Sequence, residues 1–165
     1  MDSDVLPEMP EEMRRNLNVP YMVGRCSGEG DALLTATIPI YLKAGLLDGF
    51  SSEAFQMVMS GTMARFAPQF DDKFEQIIDE IIETYRDQYI SDEKYFFSEI
   101  FCKWWGDLMI GLGSVKRVRE YSKLNTTFQY EMQLVPRHSH DPEYSGKLQL
   151  KPKWSRCDHC DDTCE

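Results

Sequence analysis

Between residues 51 and 121 apolar side chains recur every three to four positions, the spacing that lines one face of a helix. Ser51 or Ser52 caps a first helix whose inward positions are Ala54, Phe55, Val58, Met59, Met63 and Phe66, and Pro68 ends it. A second helix starts at Asp72, with Glu75 three residues on as a capping-box variant. Its stripe is Phe70, Phe74, Ile77, Ile78, Ile81, Ile82 and Tyr85, while Asp79, Glu80, Glu83 and Asp87 face out. Ser91 caps a third, carrying Tyr95, Phe96, Phe97, Ile100, Phe101, Trp104, Trp105, Leu108, Met109 and Leu112. These cover more than one face, so this helix is central to the core or divided between core and interface. Gly106, Gly111 and Gly113 loosen its end, and Ser114 restarts a short basic helix running to Tyr121. Only Ile90 and Ser91 separate the second and third helices, which are expected to pack as an antiparallel pair.

The period then changes from 3.6 to 2. Phe128, Tyr130, Met132 and Leu134 alternate with Thr127, Gln129, Glu131 and Gln133, which predicts a half-buried strand. Leu148 and Leu150, flanked by Lys147, Gln149 and Lys151, predict a second, and the two are expected to pair as a long-looped antiparallel hairpin. Before the helices, residues 1–30 hold Pro7, Pro10 and Pro20 and close on a glycine-spaced segment from Gly24 to Gly30, and they read as a lead-in. Leu34, Ala36, Ile38 and Ile40 favour an extended stretch that Pro39 demotes to an edge or connector, followed by a short helix from Tyr41 to Leu47. The expected class is α+β: about four packed amphipathic helices, a C-terminal antiparallel hairpin and a cysteine-rich tail. The division is 1–30 lead-in, 31–154 globular domain and 155–165 tail.

Length and charge narrow the partners. A chain of 165 residues buries a core without staples. Its net charge of −10 repels phosphate backbones and anionic surfaces, so nucleic acid is a poor partner. The one basic cluster, Val115-Lys116-Arg117-Val118-Arg119 with Lys103 and Lys123 nearby, reads as a solvated helix end. The acidic first twelve residues do not form a secretory leader, and no apolar run reaches the length of a membrane span. Five cysteines, an odd number with three of them clustered at the C-terminal end, do not look like a disulfide framework. A cytoplasmic or nuclear setting is expected.

The sharpest chemical signal is the end of the chain. Cys157 and Cys160 have the Cys-x2-Cys bite that tetrahedral zinc favours, with Cys164 as a third ligand and His138 or His140 as a fourth. Such a site would be structural, tying the tail to the hairpin loop; the bland reading is a tail that happens to hold three cysteines. A redox role suits the motif less, because Asp158, Asp161 and Asp162 crowd the sulfurs with negative charge. The glycines at 24–30 lack the Gly-Lys-Ser/Thr ending of a phosphate loop and read as a turn. Tyr41 to Leu47 has the Tyr-x4-Leu-apolar spacing of peptides that dock on the cap-binding translation factor, but the same residues serve equally well as core. No Gly-x-Ser-x-Gly elbow occurs and no histidine sits in the helical body, so a catalytic triad has no starting residue.

These readings favour a protein-binding adaptor or regulatory module. Its anchors are Phe97, Trp104, Trp105 and Met109, contacting another protein or a second copy. A structural subunit of a larger assembly is the alternative, and a metal-dependent enzyme follows it.

Overall fold

The computed structural model describes residues 19–31, 39–88, 92–134, 154–155 and 157–159. Strand β1 spans Tyr21–Cys26, and a helical turn begins at Glu29. Helices α1 (Pro39–Lys43), α2 (Ser52–Phe66), α3 (Phe74–Tyr85), α4 (Phe96–Gly106) and α5 (Leu112–Tyr121) follow, and β2 spans Thr127–Met132. Helix and strand are mixed, several helices preceding a C-terminal strand, and the class is α+β.

The caps explain where the helices start. The Ser51 hydroxyl accepts the Ala54 amide at 3.1 Å. At the head of α4, in front of which residue 91 lies outside the described residues, Asp92 accepts the Lys94 amide at 2.9 Å. Pro39 opens α1, where its fixed φ suits a first helical position, so residues expected to be extended there are helical instead. The expected start of the second helix at Asp72 falls in a 3-10 segment, Pro68–Lys73, which leads into α3. Between α1 and α2, Gly45 and Gly49 both take φ 96°, a conformation that costs residues with a Cβ.

One core joins these helices. α2, α3 and α4 pack on one another around Phe55, Met59, Ile78, Ile100, Phe101 and Trp105. Full burial of a side chain such as Phe55 or Phe101 is worth about 1.5–3 kcal/mol. Two polar contacts sit within this core: the Tyr41 and Thr62 hydroxyls meet at 2.9 Å, and Ser98 Oγ accepts the Phe50 amide at 2.8 Å. Tyr41 and Leu46, two positions of the supposed docking motif, are both core residues.

One expectation about connectivity is corrected. The glycines at 106 and 111 do not break the third helix. A π-helical segment, Asp107–Gly111, joins α4 to α5 without interruption, because these glycines serve close packing and keep helical backbone angles. The strand at 127–132 forms as expected and pairs in parallel with β1, Tyr21 opposite Thr127 and Cys26 opposite Met132. The expected hairpin partner around residues 148–150 lies outside the described residues. A parallel pair needs a long crossover, and the helices between residues 39 and 121 supply it. α5 covers one face of the pair, with the Tyr21 and Tyr121 rings stacked at 4.4 Å. Among the described residues no helix is long and apolar enough to cross a membrane.

The turn after β1 lies against α4 almost backbone to backbone. A Cβ on Gly30 would fall on the Cys102 carbonyl oxygen, and one on Gly106 would come within 2.8 Å of the Gly30 amide nitrogen. By contrast, a Cβ on Gly61, inside α2, meets nothing within 4 Å. Gly30→Ala is therefore expected to cost about 2–3 kcal/mol of stability by urea unfolding. Gly61→Ala should gain about 0.5–1 kcal/mol. Equal effects of the two changes would refute the close approach.

Candidate active site

The sequence Tyr21-Met22-Val23-Gly24-Arg25-Cys26 forms a strand because its apolar residues share a ladder with β2. Gly24 lies under the Tyr130 ring, which occupies the space where a Cβ would stand. At the end of β1 the chain turns at Ser27 and Gly28, and Glu29 enters the first turn of a helix. This strand–turn–helix points the Glu29 carboxylate back at the strand end. Its Oε1 accepts the Cys26 amide at 2.7 Å, and its Oε2 lies 2.6 Å from His159 Nδ1.

His159 is brought there by backbone pairing. The Gly28 amide donates to the Cys157 carbonyl at 2.7 Å, and Gly28 and Asp158 form an isolated parallel bridge. Space at Gly28 is tight, since a Cβ would sit 2.7 Å from Asp31 Oδ2 and 2.8 Å from the Cys157 oxygen. The Glu29 side chain is 9% exposed and the His159 ring 35%. The acid is thus shielded while part of the imidazole reaches solvent.

The chemistry follows from those facts. An ionised carboxylate only accepts, so Nδ1 of His159 donates and carries the ring proton. That tautomer leaves the Nε2 lone pair available as a base, and Glu29 is placed to stabilise the imidazolium formed when Nε2 takes a proton. A buried carboxylate orienting a half-exposed imidazole is two-thirds of a nucleophilic triad.

The residues singled out from sequence are distributed differently. Cys157 is fully buried, and its carbonyl, at the Gly28 amide, is what bears on the site. Cys160, Cys164, His138 and His140 lie outside the described residues. Among the described residues no three His, Cys, Asp or Glu side chains gather as metal ligands. Of the proposed partner anchors, Trp105 is 4% exposed and belongs to the core. Phe97 stacks near Phe55 at 5.0 Å, Trp104 packs against the same core, and Met109 is exposed. No local sequence pattern singles out Glu29 and His159. The signals for them were an apolar run ending in a glycine-flanked acid and a histidine far behind it. Proximity over 130 positions leaves no local trace.

The model of the carboxylesterase family matches residues 1–164. No curated protein and no solved structure matches the chain. The family match overturns the adaptor and structural-subunit readings. An excess of aromatic residues on one helix had suggested a binding face, whereas Phe101 and Trp105 fill the core.

Behind Glu29, Cys102 is buried against the same helical turn. Burial, then the charge and hydrogen bond of Asp31 and the charge of Glu99, raise its thiol pKa well above the ordinary value. In the unfolded chain this thiol ionises near its usual value, about 8.5. The folded form keeps it protonated, so its contribution is complete below that value and is lost as pH rises beyond it. Unfolding free energy should fall between about pH 8.5 and 10, and Cys102→Ala should flatten that slope in urea titrations. An identical slope in both proteins would contradict this placement.

Proposed function

The chain belongs to the carboxylesterase family, and on that premise we propose that it hydrolyses carboxylic esters by acyl transfer, with His159 as general base and acid and Glu29 as its orienting carboxylate. The observation that carries the reading is the 2.6 Å contact between Glu29 Oε2 and His159 Nδ1, made by a buried acid that also holds the Cys26 amide.

His159 Nε2 takes the proton of a hydroxyl as its oxygen attacks the ester carbonyl carbon. The tetrahedral adduct collapses, the C–O bond to the alcohol breaks, and the departing oxygen takes the proton back from the imidazolium. Water then repeats the sequence on the acyl group and releases the acid. Throughout, Glu29 keeps Nδ1 protonated and the ring aimed, which a neutral amide in its place would not do. The acid precedes the histidine in the chain, the order found in α/β-hydrolases, where the serine precedes both. That order supports a nucleophile on the N-terminal side of Glu29. The 165 residues contain no Gly-x-Ser-x-Gly, so no elbow serine is assigned.

Hydrolysis of p-nitrophenyl butyrate by the full protein tests this directly. His159→Ala and Glu29→Gln should each lower kcat by about 10²- to 10⁴-fold, with circular dichroism unchanged. Full turnover in both variants, or none in the unaltered protein, would refute it.

A further inference from the structure

We propose that Arg25 is a positioning residue for the Glu29–His159 pair, acting through the Cys26 amide. The inference rests on the acyl-transfer reading above and adds a residue to it. Arg25 directly precedes Cys26, and its guanidinium joins three elements at the end of the sheet. Nε and Nη2 donate to Glu131 Oε2 at 2.9 and 2.7 Å, clamping β1 to β2. Nη1 donates to Asp107 Oδ1, the first residue of the π-helical segment. The other oxygen of Asp107 accepts the Tyr85 hydroxyl at 2.7 Å, which brings in the end of α3.

The next rung of the ladder is the one that matters for the site. Cys26 stands opposite Met132, and the Met132 carbonyl accepts the Ser27 amide at 2.9 Å. The strand ends are therefore paired up to the residue at which the chain turns toward Glu29. A strand end set free at Arg25 would let the Cys26 amide leave the Glu29 carboxylate and the carboxylate swing from Nδ1.

The long helix is shaped around this clamp. A Cβ on Gly111 would lie 2.5 Å from Arg25 Nη1 and 2.7 Å from Asp107 Oδ1, so a side chain there would push the tips of the pair aside. The π turn begins at Asp107, which meets the guanidinium, and one residue earlier Gly106 abuts Gly30. Burial opposes the Arg25 charge, but the hydrogen bonds and charges of Asp107 and Glu131 outweigh it and raise its pKa. Burial, reinforced by Asp107, likewise holds the Tyr85 phenol protonated well beyond its ordinary range. Partly exposed ion pairs contribute little to global stability, so the expected readout is local geometry and turnover.

Arg25→Gln and Arg25→Lys are compared with Arg86→Gln, whose side chain pairs with Glu83 on an exposed helix face. Arg25→Gln should lower kcat for p-nitrophenyl butyrate about tenfold or more at unchanged KM, and speed amide exchange at Cys26. Arg25→Lys should restore part of both, and Arg86→Gln should alter neither. Should Arg25→Gln not fold, Asp107→Asn, nearly isosteric, is expected to show the same pair of changes. A loss of kcat without faster Cys26 exchange would overturn the positioning role and leave the dyad standing. Faster exchange at unchanged kcat would instead count against the acyl-transfer reading. No change in either quantity would remove Arg25 from the site.

Discussion

A buried carboxylate needs partners for both oxygens, and the way Glu29 meets that need organises this end of the molecule. One oxygen takes the Cys26 amide from the strand that delivers it, and the other takes Nδ1 of a histidine 130 positions later. Neither partner is adjacent by chance. The first depends on the tight turn at Ser27 and Gly28, and the second on the backbone pairing of Gly28 with residues 157 and 158. If the carboxylate moved, the imidazole would lose the contact that orients it and fixes its tautomer.

The rest of the fold bears on that contact through steric constraint as well as through the polar bonds of Arg25. Gly30 and Gly106 permit two helical segments to touch at the backbone, which brings the turn holding Glu29 against the most buried helix of the core. That core is built from Phe55, Met59, Ile100 and Phe101, and it gives the turn a rigid wall. Parallel pairing of β1 with β2 requires a long return path, and the helical crossover that fills it also carries Asp107 to the strand ends. Packing and the Glu29–His159 contact are thus linked at the residues where side chains are smallest.

How much of this was legible in the residues depended on the range of the interaction. Periodicity identified α2, much of α3 and α4, and the strand at 127–132, because the apolar face of each is set by neighbours three, four or two positions away. The Ser51 cap was readable for the same reason. β1 was obscure: Pro20 beside a run of Tyr21, Met22 and Val23 read as part of a lead-in, and its partner lay a hundred positions on. Gly106 and Gly111 looked like helix breakers, since a glycine chosen for close approach has the same letter as one chosen for a turn. The cysteines drew attention to the tail, yet the residue beside them that makes the contact is His159. A hydrogen bond between distant side chains leaves no spacing to count.

The state of the His159 ring decides the account most directly. Nitrogen-15 chemical shifts of the histidine side chains at neutral pH distinguish a protonated nitrogen from a bare one. The account predicts a proton on Nδ1, in slow exchange with solvent and lost from its downfield position in Glu29→Gln, with Nε2 unprotonated. A ring protonated at Nε2 alone, or one that averages both forms regardless of Glu29, would contradict it.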